Sequence, residues 1–404
     1  MTIPRLLPPE TGRVAAPLLA ARGLRAFGDG FVAVLLPIHL LQRGFSPFEV
    51  GLISSVTLLG SAALTLLVGL YGHRVSGRKL LMLSCLLTAA TGLGFAFLDE
   101  LWPLLIVAFL GTLNPGAGDV SVFVPLEQRG LAEATPARHR TGLFARYSLI
   151  GGLAGALGSL AAGAPELFAG AGAGSDAAWR AMLMLYAALG LACLPLYWPV
   201  RDAAPSPERK TPPLGPSRGL VLKLSALFSV DAFAGGFAVQ SIVVLWLHER
   251  FGFGAADAGV FFFWAGLVMS GSYLVAVPVA RRIGLINTMV FTHIPANLFL
   301  IGAAFAPTLW LALAFLLLRA ALAQMDVPAR TSYVMGMVEP EERAAAAAMT
   351  AVPRSLAAAL SPMLAGGLIA ALPFLPFLLC GGLKIGYDLA LWAGFRKLKP
   401  PEER

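Results

Sequence analysis

The sequence predicts an all-α membrane protein with twelve transmembrane helices in two six-helix bundles. Apolar stretches of about 20 residues recur from Ala15 to Phe395, and a helix needs about that length to cross the bilayer core. Of the 404 residues, 57% are hydrophobic and only 13% are charged, which is about half the charged share of a soluble domain. The alternating strands of about ten residues that are typical of outer-membrane barrels do not appear.

Each predicted helix is an apolar run bounded by a polar or Gly- and Pro-containing loop. The first six are predicted at 16–41, 47–71, 79–98, 101–127, 141–164 and 178–199. The charged, Pro-rich segment 201–219 cannot cross a membrane and is predicted to be a cytoplasmic linker. Six more helices follow at 220–248, 256–280, 286–306, 309–335, 344–371 and 375–396. The predicted domains are therefore a bundle at 1–200, the linker at 201–219 and a bundle at 220–404.

Basic residues gather in alternate loops, as the positive-inside rule requires of cytoplasmic loops. Examples follow helices 2, 4 and 8: Arg74, Arg78 and Lys79; Arg129, Arg138 and Arg140; Arg281 and Arg282. This alternation predicts a multi-pass protein of the cell inner (plasma) membrane, with both termini in the cytoplasm. The net charge of +8 is then a product of topology and does not indicate a nucleic-acid partner. The first 14 residues lack the pattern of a cleaved secretory signal.

The two halves of the chain repeat each other. GFSPFEVG (44–51) after helix 1 matches GFGAADAG (252–259) after helix 7, and GDV (118–120) in helix 4 matches MDV (325–327) in helix 10. Because each half has an even number of helices, both keep the same orientation in the membrane. Parallel repeats of this kind predict a solute pathway between two bundles.

The loop GLYGHRVSGRK (69–79) between helices 2 and 3 resembles the signature loop of the major facilitator superfamily. Two departures stand out: His73 occupies the usual position of an aspartate, and one extra residue precedes Gly77. The resemblance covers essentially the whole chain and implies a secondary transporter that works by alternating access. It also implies a gating loop made of Gly69, His73, Arg74, Gly77, Arg78 and Lys79.

Helix 1 carries ionisable residues where an unpaired charge is costly. Arg22, Arg25 and Asp29 are spaced three and four apart, which places them on one helical face. Asp29 stands between Gly28 and Gly30, which allow another backbone or a substrate to approach closely. Two interpretations follow: Asp29 binds a proton or substrate with Arg25 as its partner, or Arg25 and Asp29 form a structural ion pair.

Helix 10 repeats this arrangement with Arg319, Asp326 and Arg330 on one face. Pro328 removes a backbone donor and predicts a kink there. The alternatives are a gate that bends between states and a stabilising ion pair.

Further acids and arginines complete the predicted binding residues. Asp119 in helix 4 matches Asp326, and Asp231 in helix 7 roughly matches Asp29. Arg146 in helix 5 and Arg354 in helix 11 either counter these acids or attract an anionic substrate. Three other sets are not predicted to bind the solute. Lys384 and Asp388 are predicted to pair within helix 12, and Glu127 and Glu342 to be solvated charges or part of a cytoplasmic latch between helices. Cys85, Cys193 and Cys380 are predicted to be core residues.

No enzymatic pattern is present, and neither a phosphate-binding glycine loop nor metal-ligand spacing occurs, so no cofactor or metal is expected. The main hypothesis is a secondary transporter that couples protons to the efflux of a small, largely apolar organic solute. Its partners are then the solute, protons and the lipid bilayer. One alternative is a carrier for an anionic metabolite, held by Arg25, Arg146, Arg330 or Arg354. The other is a non-transporting membrane sensor or assembly protein.

Overall fold

The computed structural model describes residues 11–71, 75–116, 121–166, 175–200, 215–339 and 342–398. Within these ranges the regular structure is helical and contains no β-strand, so the predicted all-α class is confirmed. The helices of the first half are α1 (Ala15–Gln42), α2 (Pro47–Tyr71), α3 (Gly77–Phe97), α4 (Leu101–Leu110), α5 (Phe123–Glu133), α6 (Ala137–Ala161), α7 (Ser175–Ala192) and the short α8 (Leu194–Tyr197).

The second half begins with α9 (Arg218–Gly236), so the last residues of the predicted linker are already helical. It continues with α10 (Gln240–Phe251), α11 (Ala255–Ile283), α12 (Leu285–Phe305), α13 (Leu309–Leu322), α14 (Asp326–Met337), α15 (Arg343–Ala371) and α16 (Leu375–Phe395).

Four of the predicted helices are interrupted within the described residues. Predicted helix 4 was expected to run unbroken over 101–127, but α4 ends at Leu110 and α5 begins only at Phe123. Asn114-Pro115-Gly116 lies in the interruption, where Pro115 offers no N–H and Gly116 is a poor helix former. Predicted helix 6 divides into α7 and α8, predicted helix 7 into α9 and α10, and predicted helix 10 into α13 and α14.

The interruption of helix 10 lies at 323–325, just before the kink predicted at Pro328. A proline at 328 cannot donate to the carbonyl of Gln324, and its ring crowds that carbonyl, so the helix is broken one turn earlier. Arg319 lies in the last turn of α13 and Asp326 is the first residue of α14. Each charge therefore has the sign that its helix end favours.

Among the residues that the structure describes, eleven segments are long and apolar enough to cross a membrane, and several of them, such as Arg218–Phe251 and Leu309–Met337, include an interruption. The remaining predicted span, helix 4, is represented by the shorter apolar helix α4 and by α5. The chain is therefore a multi-pass membrane protein.

The chain divides into two compact units. Unit 1 comprises Met1–His39, Gly60–Glu208 and Ala255–Phe263, and unit 2 comprises Leu40–Leu59, Arg209–Gly254 and Trp264–Arg404. In unit 1 α3 packs on α7, and in unit 2 α9 packs on α15 and α12 packs on α16. The predicted boundaries at 200 and 220 do not coincide with this division and stay a prediction.

Glycines bring α1 and α6 into backbone contact inside unit 1. A Cβ atom added to Gly30 would lie 2.1 Å from the carbonyl oxygen of Gly155, and one added to Gly158 would lie 2.0 Å from that of Phe27. Real Cβ contacts are never this short, so both positions require glycine. This close packing fixes the position of Asp29 in α1.

Candidate functional site

A buried carboxylate, Glu127, organises the ionisable groups of unit 1. It is fully buried in α5 and forms an ion pair with Nη2 of Arg25. The Oη of Tyr147 donates to it at 2.5 Å, and the Oη of Tyr197 donates to its other oxygen. The guanidinium of Arg25 also lies 3.9 Å from the centroid of the Phe123 ring. Arg25 therefore contacts a carboxylate, a tyrosine hydroxyl and an aromatic ring.

This arrangement corrects two expectations. Arg25 pairs with Glu127 of α5 and not with Asp29, and Glu127 is a buried structural charge rather than a latch or solvated one. The predicted helix 4 ended at residue 127, which placed Glu127 at a solvated end. The observed α5 continues to Glu133, which brings Glu127 into the interior.

Asp29 lies beside this cluster in a different environment. Its carboxylate accepts a hydrogen bond from the Oη of Tyr186 at 3.2 Å, and among the described residues it makes no ion pair. It lines a small pocket together with Arg25, Thr88, Thr112 and Tyr186. The volume of this pocket is about enough for one water molecule. Unlike Glu127, Asp29 is only partly buried.

Asp231 is the corresponding centre of unit 2. It is buried in α9, and its two oxygens lie 2.5 Å from Nζ of Lys384 and 3.3 Å from Nη1 of Arg330. The same Arg330 nitrogen lies 3.2 Å from Asp326, as the spacing of four residues predicted. Its guanidinium is 5.6 Å from the centroid of the Phe228 ring.

The predicted pair within helix 12 is wrong. Lys384 binds Asp231, while Asp388 accepts a hydrogen bond from Nδ1 of His293 at 3.0 Å. The second nitrogen of His293 lies 3.9 Å from Asp231. All of these groups are buried. These contacts connect α9, α12 and α16 inside unit 2. The prediction failed because a spacing of four residues within one helix does not show whether a neighbouring helix offers a better partner.

Sequence reasoning missed His293, although one signal could have identified it. The residue lies in the middle of predicted helix 9, where an ionisable side chain needs a partner.

The two remaining predicted arginines have no acidic partner among the described residues. Arg146 donates from Nη1 to the carbonyl oxygen of Gly142 at 3.2 Å. Arg354 in α15 has a buried Nε without a hydrogen-bond partner. Of the two alternatives for these residues, pairing with an acid is therefore not found in this part of the chain.

The predicted gating loop is described only in part, since His73 and Arg74 lie outside the described residues, as does Asp119 of the predicted binding set. Gly69 belongs to α2, and Gly77 begins α3, which Ser76 caps by accepting from the N–H of Lys79. Arg78 donates to the carbonyl oxygen of Trp198 at 3.4 Å and lies over its ring. The gating role of this loop stays a prediction.

Residues 18–323 match the family model of the Major Facilitator Superfamily. An uncharacterized membrane protein of Saccharomyces cerevisiae (strain ATCC 204508 / S288c) is 24% identical over 412 residues, which cover 93% of this chain and 92% of that protein.

Three solved structures illustrate the structural likeness. The D-xylose-proton symporter has a TM-score of 0.72 at 16% identity, covering 94% of this chain and 97% of its own. The nucleoside transporter NupG has 0.69 at 14% identity, covering 95% and 99%. The human organic anion transporter MFSD10 (TETRAN) has 0.64 at 19% identity, covering 95% and 100%. At these identities the likeness shows a shared fold.

Proposed function

Because the chain belongs to the Major Facilitator Superfamily and is a membrane solute transporter, we propose that it is a proton-coupled secondary carrier for a small organic solute. In this proposal Asp29 binds the coupling proton, and the carrier works by alternating access. It resides in the cell inner membrane with both termini in the cytoplasm, which the alternation of basic loops supports.

The observation that carries this proposal is the contrast between Asp29 and four other acids inside the described spans. Glu127, Asp231 and Asp326 are each buried and paired with a cation, and Asp388 is hydrogen-bonded to His293. Asp29 is partly exposed, lines a pocket and has a tyrosine hydroxyl as its bonding partner. A carboxylate without an ion pair gains most from losing its charge in a low-dielectric interior.

Protonation of Asp29 would change the local interactions in a defined way. The charged carboxylate attracts the neighbouring guanidinium groups and accepts from Tyr186, whereas the neutral acid becomes a hydrogen-bond donor itself. The two protonation states therefore favour different arrangements of α1 and α7. A proton that binds one arrangement better shifts the balance between carrier states. One solved structure with the same fold is named a D-xylose-proton symporter, and this likeness supports coupling to protons.

Export is the proposed direction. A small, largely apolar solute enters through the bilayer whenever it is uncharged, so a gradient-driven carrier serves to remove such a compound rather than to admit it. Right-side-out vesicles loaded with solute should release it faster when the outside is made acidic.

The proposal is tested with Asp29→Asn in proteoliposomes. We expect the variant to lose solute movement driven by a pH gradient at least tenfold, while exchange of labelled for unlabelled solute without a gradient continues. This separation is expected because the neutral amide cannot take up a proton but still permits the carrier to change state. Solute flux and internal pH, followed with a pH-sensitive dye, are the measurements.

The matched control is Glu133→Gln, which removes an exposed carboxylate of the i,i+4 pair with Arg129 and should leave both kinds of transport unchanged. An Asp29→Asn protein that still accumulates solute in response to a pH gradient would contradict the assignment of the proton to Asp29.

A further inference from the structure

Arg354 is a guanidinium placed near the middle of a long helix. It lies eleven residues after the start of α15 at Arg343 and seventeen before its end at Ala371. Eleven residues correspond to about 16 Å along the helix axis. An arginine at such a depth costs at least about 2.5–3.5 kcal/mol when it has no partner.

The acids near Arg354 are already engaged by other cations. The charged groups that act on it are Arg330, Asp231 and Asp326. Asp231 is bound by Lys384 and Arg330, and Asp326 is bound by Arg330. Among the described residues Arg354 makes no ion pair, and its buried Nε has no hydrogen-bond partner. Of the three cations Arg330, Lys384 and Arg354, Arg354 is therefore the one that makes no ion pair within the described part of the chain.

Arg319 in the same unit provides a contrast. It too has a buried Nε without a hydrogen-bond partner, but it lies in the last turn of α13. The carbonyl groups at a helix C-terminus favour a positive charge. Arg354 has no such compensation, because α15 continues for seventeen residues beyond it.

We propose that Arg354 binds the carboxylate of the transported solute, which is then an organic acid with one negative charge and an apolar body. This assignment deepens the proposed carrier function by naming the class of solute, and it rests on that function. A guanidinium offers two parallel N–H donors that match the two oxygens of a carboxylate. One uncommitted cation suits a single negative charge, since Arg330 is committed to its acids.

The residues around Arg354 in α15 indicate the character of the rest of the solute. One turn away on either side lie Thr350, Ala351, Ala357 and Ala358. The hydroxyl of Thr350 donates to the carbonyl oxygen of Ala346 at 2.8 Å, so its proton is not available to the oxygens of a ligand carboxylate. Small apolar side chains leave space and offer no hydrogen bonds, which favours an apolar body next to the carboxylate.

The experiment compares acids with their neutral amides on purified full-length protein. The probes are benzoate, phenylacetate and octanoate, each against its primary amide, with binding measured by thermal shift and by isothermal titration. We expect at least one carboxylate to raise the melting temperature and its amide to have no effect. A ligand that binds only the folded protein stabilises it in proportion to its affinity and concentration.

Variants locate the binding site. Arg354→Gln should weaken carboxylate binding at least tenfold, and Arg354→Lys should weaken it less, because the charge remains. Arg319→Gln, the matched loss of another arginine within a span, should bind as the wild type does. The melting temperature of each variant without ligand shows whether it is folded, and Arg354→Lys keeps the test valid if Arg354→Gln does not fold.

Several results would overturn the assignment: no carboxylate binds, amides bind equally well, binding survives in Arg354→Gln, or it is lost in Arg319→Gln instead. The Asp29→Asn variant separates this assignment from the proposed proton coupling. If it binds the carboxylate normally but still couples transport to a pH gradient, the proton site is wrong and the anion site stands.

Discussion

At the residue scale, each unit stacks an arginine on a phenylalanine, but the two residues exchange helices. In unit 1 the arginine is Arg25 of predicted helix 1 and the ring is Phe123 of predicted helix 4. In unit 2 the arginine is Arg330 of predicted helix 10 and the ring is Phe228 of predicted helix 7, the counterparts of helices 4 and 1. Both arginines are also bound by a buried carboxylate. The repeat thus preserves the interaction while it exchanges the residues that make it.

Removing the carboxylate of the unit 1 cluster should destabilise the protein strongly. Glu127→Gln leaves the guanidinium of Arg25 buried without its counter-charge, and breaking a buried pair in this way costs about 3–5 kcal/mol. The free energy of unfolding, measured by denaturant titration in mixed micelles, should fall by that amount. The double variant Arg25→Gln/Glu127→Gln should recover part of the loss, because no unpaired charge remains.

The exposed pair of Arg129 and Glu133 provides the comparison. Both side chains are more than half exposed, at 52% and 57%, and pairs of this kind contribute about 0–1 kcal/mol. Glu133→Gln should therefore change the free energy of unfolding by less than about 1 kcal/mol. Equal losses in Glu127→Gln and Glu133→Gln would show that the buried cluster is not the stabilising element we describe.

Glu342 gives a pH dependence at the loop before α15. Hydrogen bonds from Ser217 and from the backbone N–H of Gly215, which donates at 2.5 Å, lower the pKa of this carboxyl below its ordinary value. A carboxyl with a lowered pKa stabilises the folded state above its ordinary pKa, and this contribution is lost as the pH falls through the lowered one.

Acidification should therefore release the segment that begins at Gly215. Hydrogen exchange of the Gly215 and Ser217 amides, corrected for intrinsic rates, should accelerate at acidic pH. In Glu342→Gln these amides should exchange quickly at every pH, with no acid-dependent step. Unchanged protection of both amides at a pH where carboxylates are protonated would contradict this prediction.

At the scale of elements, apolar runs predict helices well and their interruptions poorly. Helix 2 was predicted at 47–71 and is observed at Pro47–Tyr71. Helices 4, 6, 7 and 10 were predicted unbroken and are each divided in two. Hydropathy measures how long a segment stays in an apolar environment and does not report whether its backbone hydrogen bonds continue. The interruption near Pro328 was signalled by the proline, whereas the one between Gly236 and Gln240 carries no proline.

Spacing within one helix predicted one ion pair of the site correctly and two others wrongly. The pair of Asp326 and Arg330 follows from a spacing of four. The partners of Arg25 and Lys384 come from other helices, and the choice among neighbouring helices depends on how they pack. One sequence without related sequences does not contain that information.

The contact between α1 and α6 makes a prediction about Gly30. In Gly30→Val the new side chain would collide with the Gly155 backbone, where even a Cβ atom would lie 2.1 Å from the carbonyl oxygen. Backbone has to move to relieve this overlap, at a cost of about 1–3 kcal/mol or more. Thermal unfolding in detergent should show a lowered melting temperature. In the control Gly386→Ala the added Cβ meets no atom within 4 Å, so its melting temperature should be unchanged or slightly higher.

At the scale of the whole molecule, each unit satisfies most of its buried charges internally. Unit 1 contains the pair of Arg25 and Glu127, and unit 2 contains the network centred on Asp231. A change of carrier state therefore need not break these ion pairs. Asp29 and Arg354 have no ion pair among the described residues, and we assign the proton and the solute to these two groups.

The divided helices have a consequence for hydration. A helix end exposes N–H and C=O groups without intrahelical partners, and backbone of this kind is tolerated at membrane depth only inside protein or against water. The backbone groups of the stretches at 111–116, 237–239 and 323–325 are thus the ones that most need water as a hydrogen-bond partner in an otherwise apolar interior. Any aqueous passage through this molecule should run past these stretches, and ordered waters in a high-resolution density map should lie next to their backbone groups.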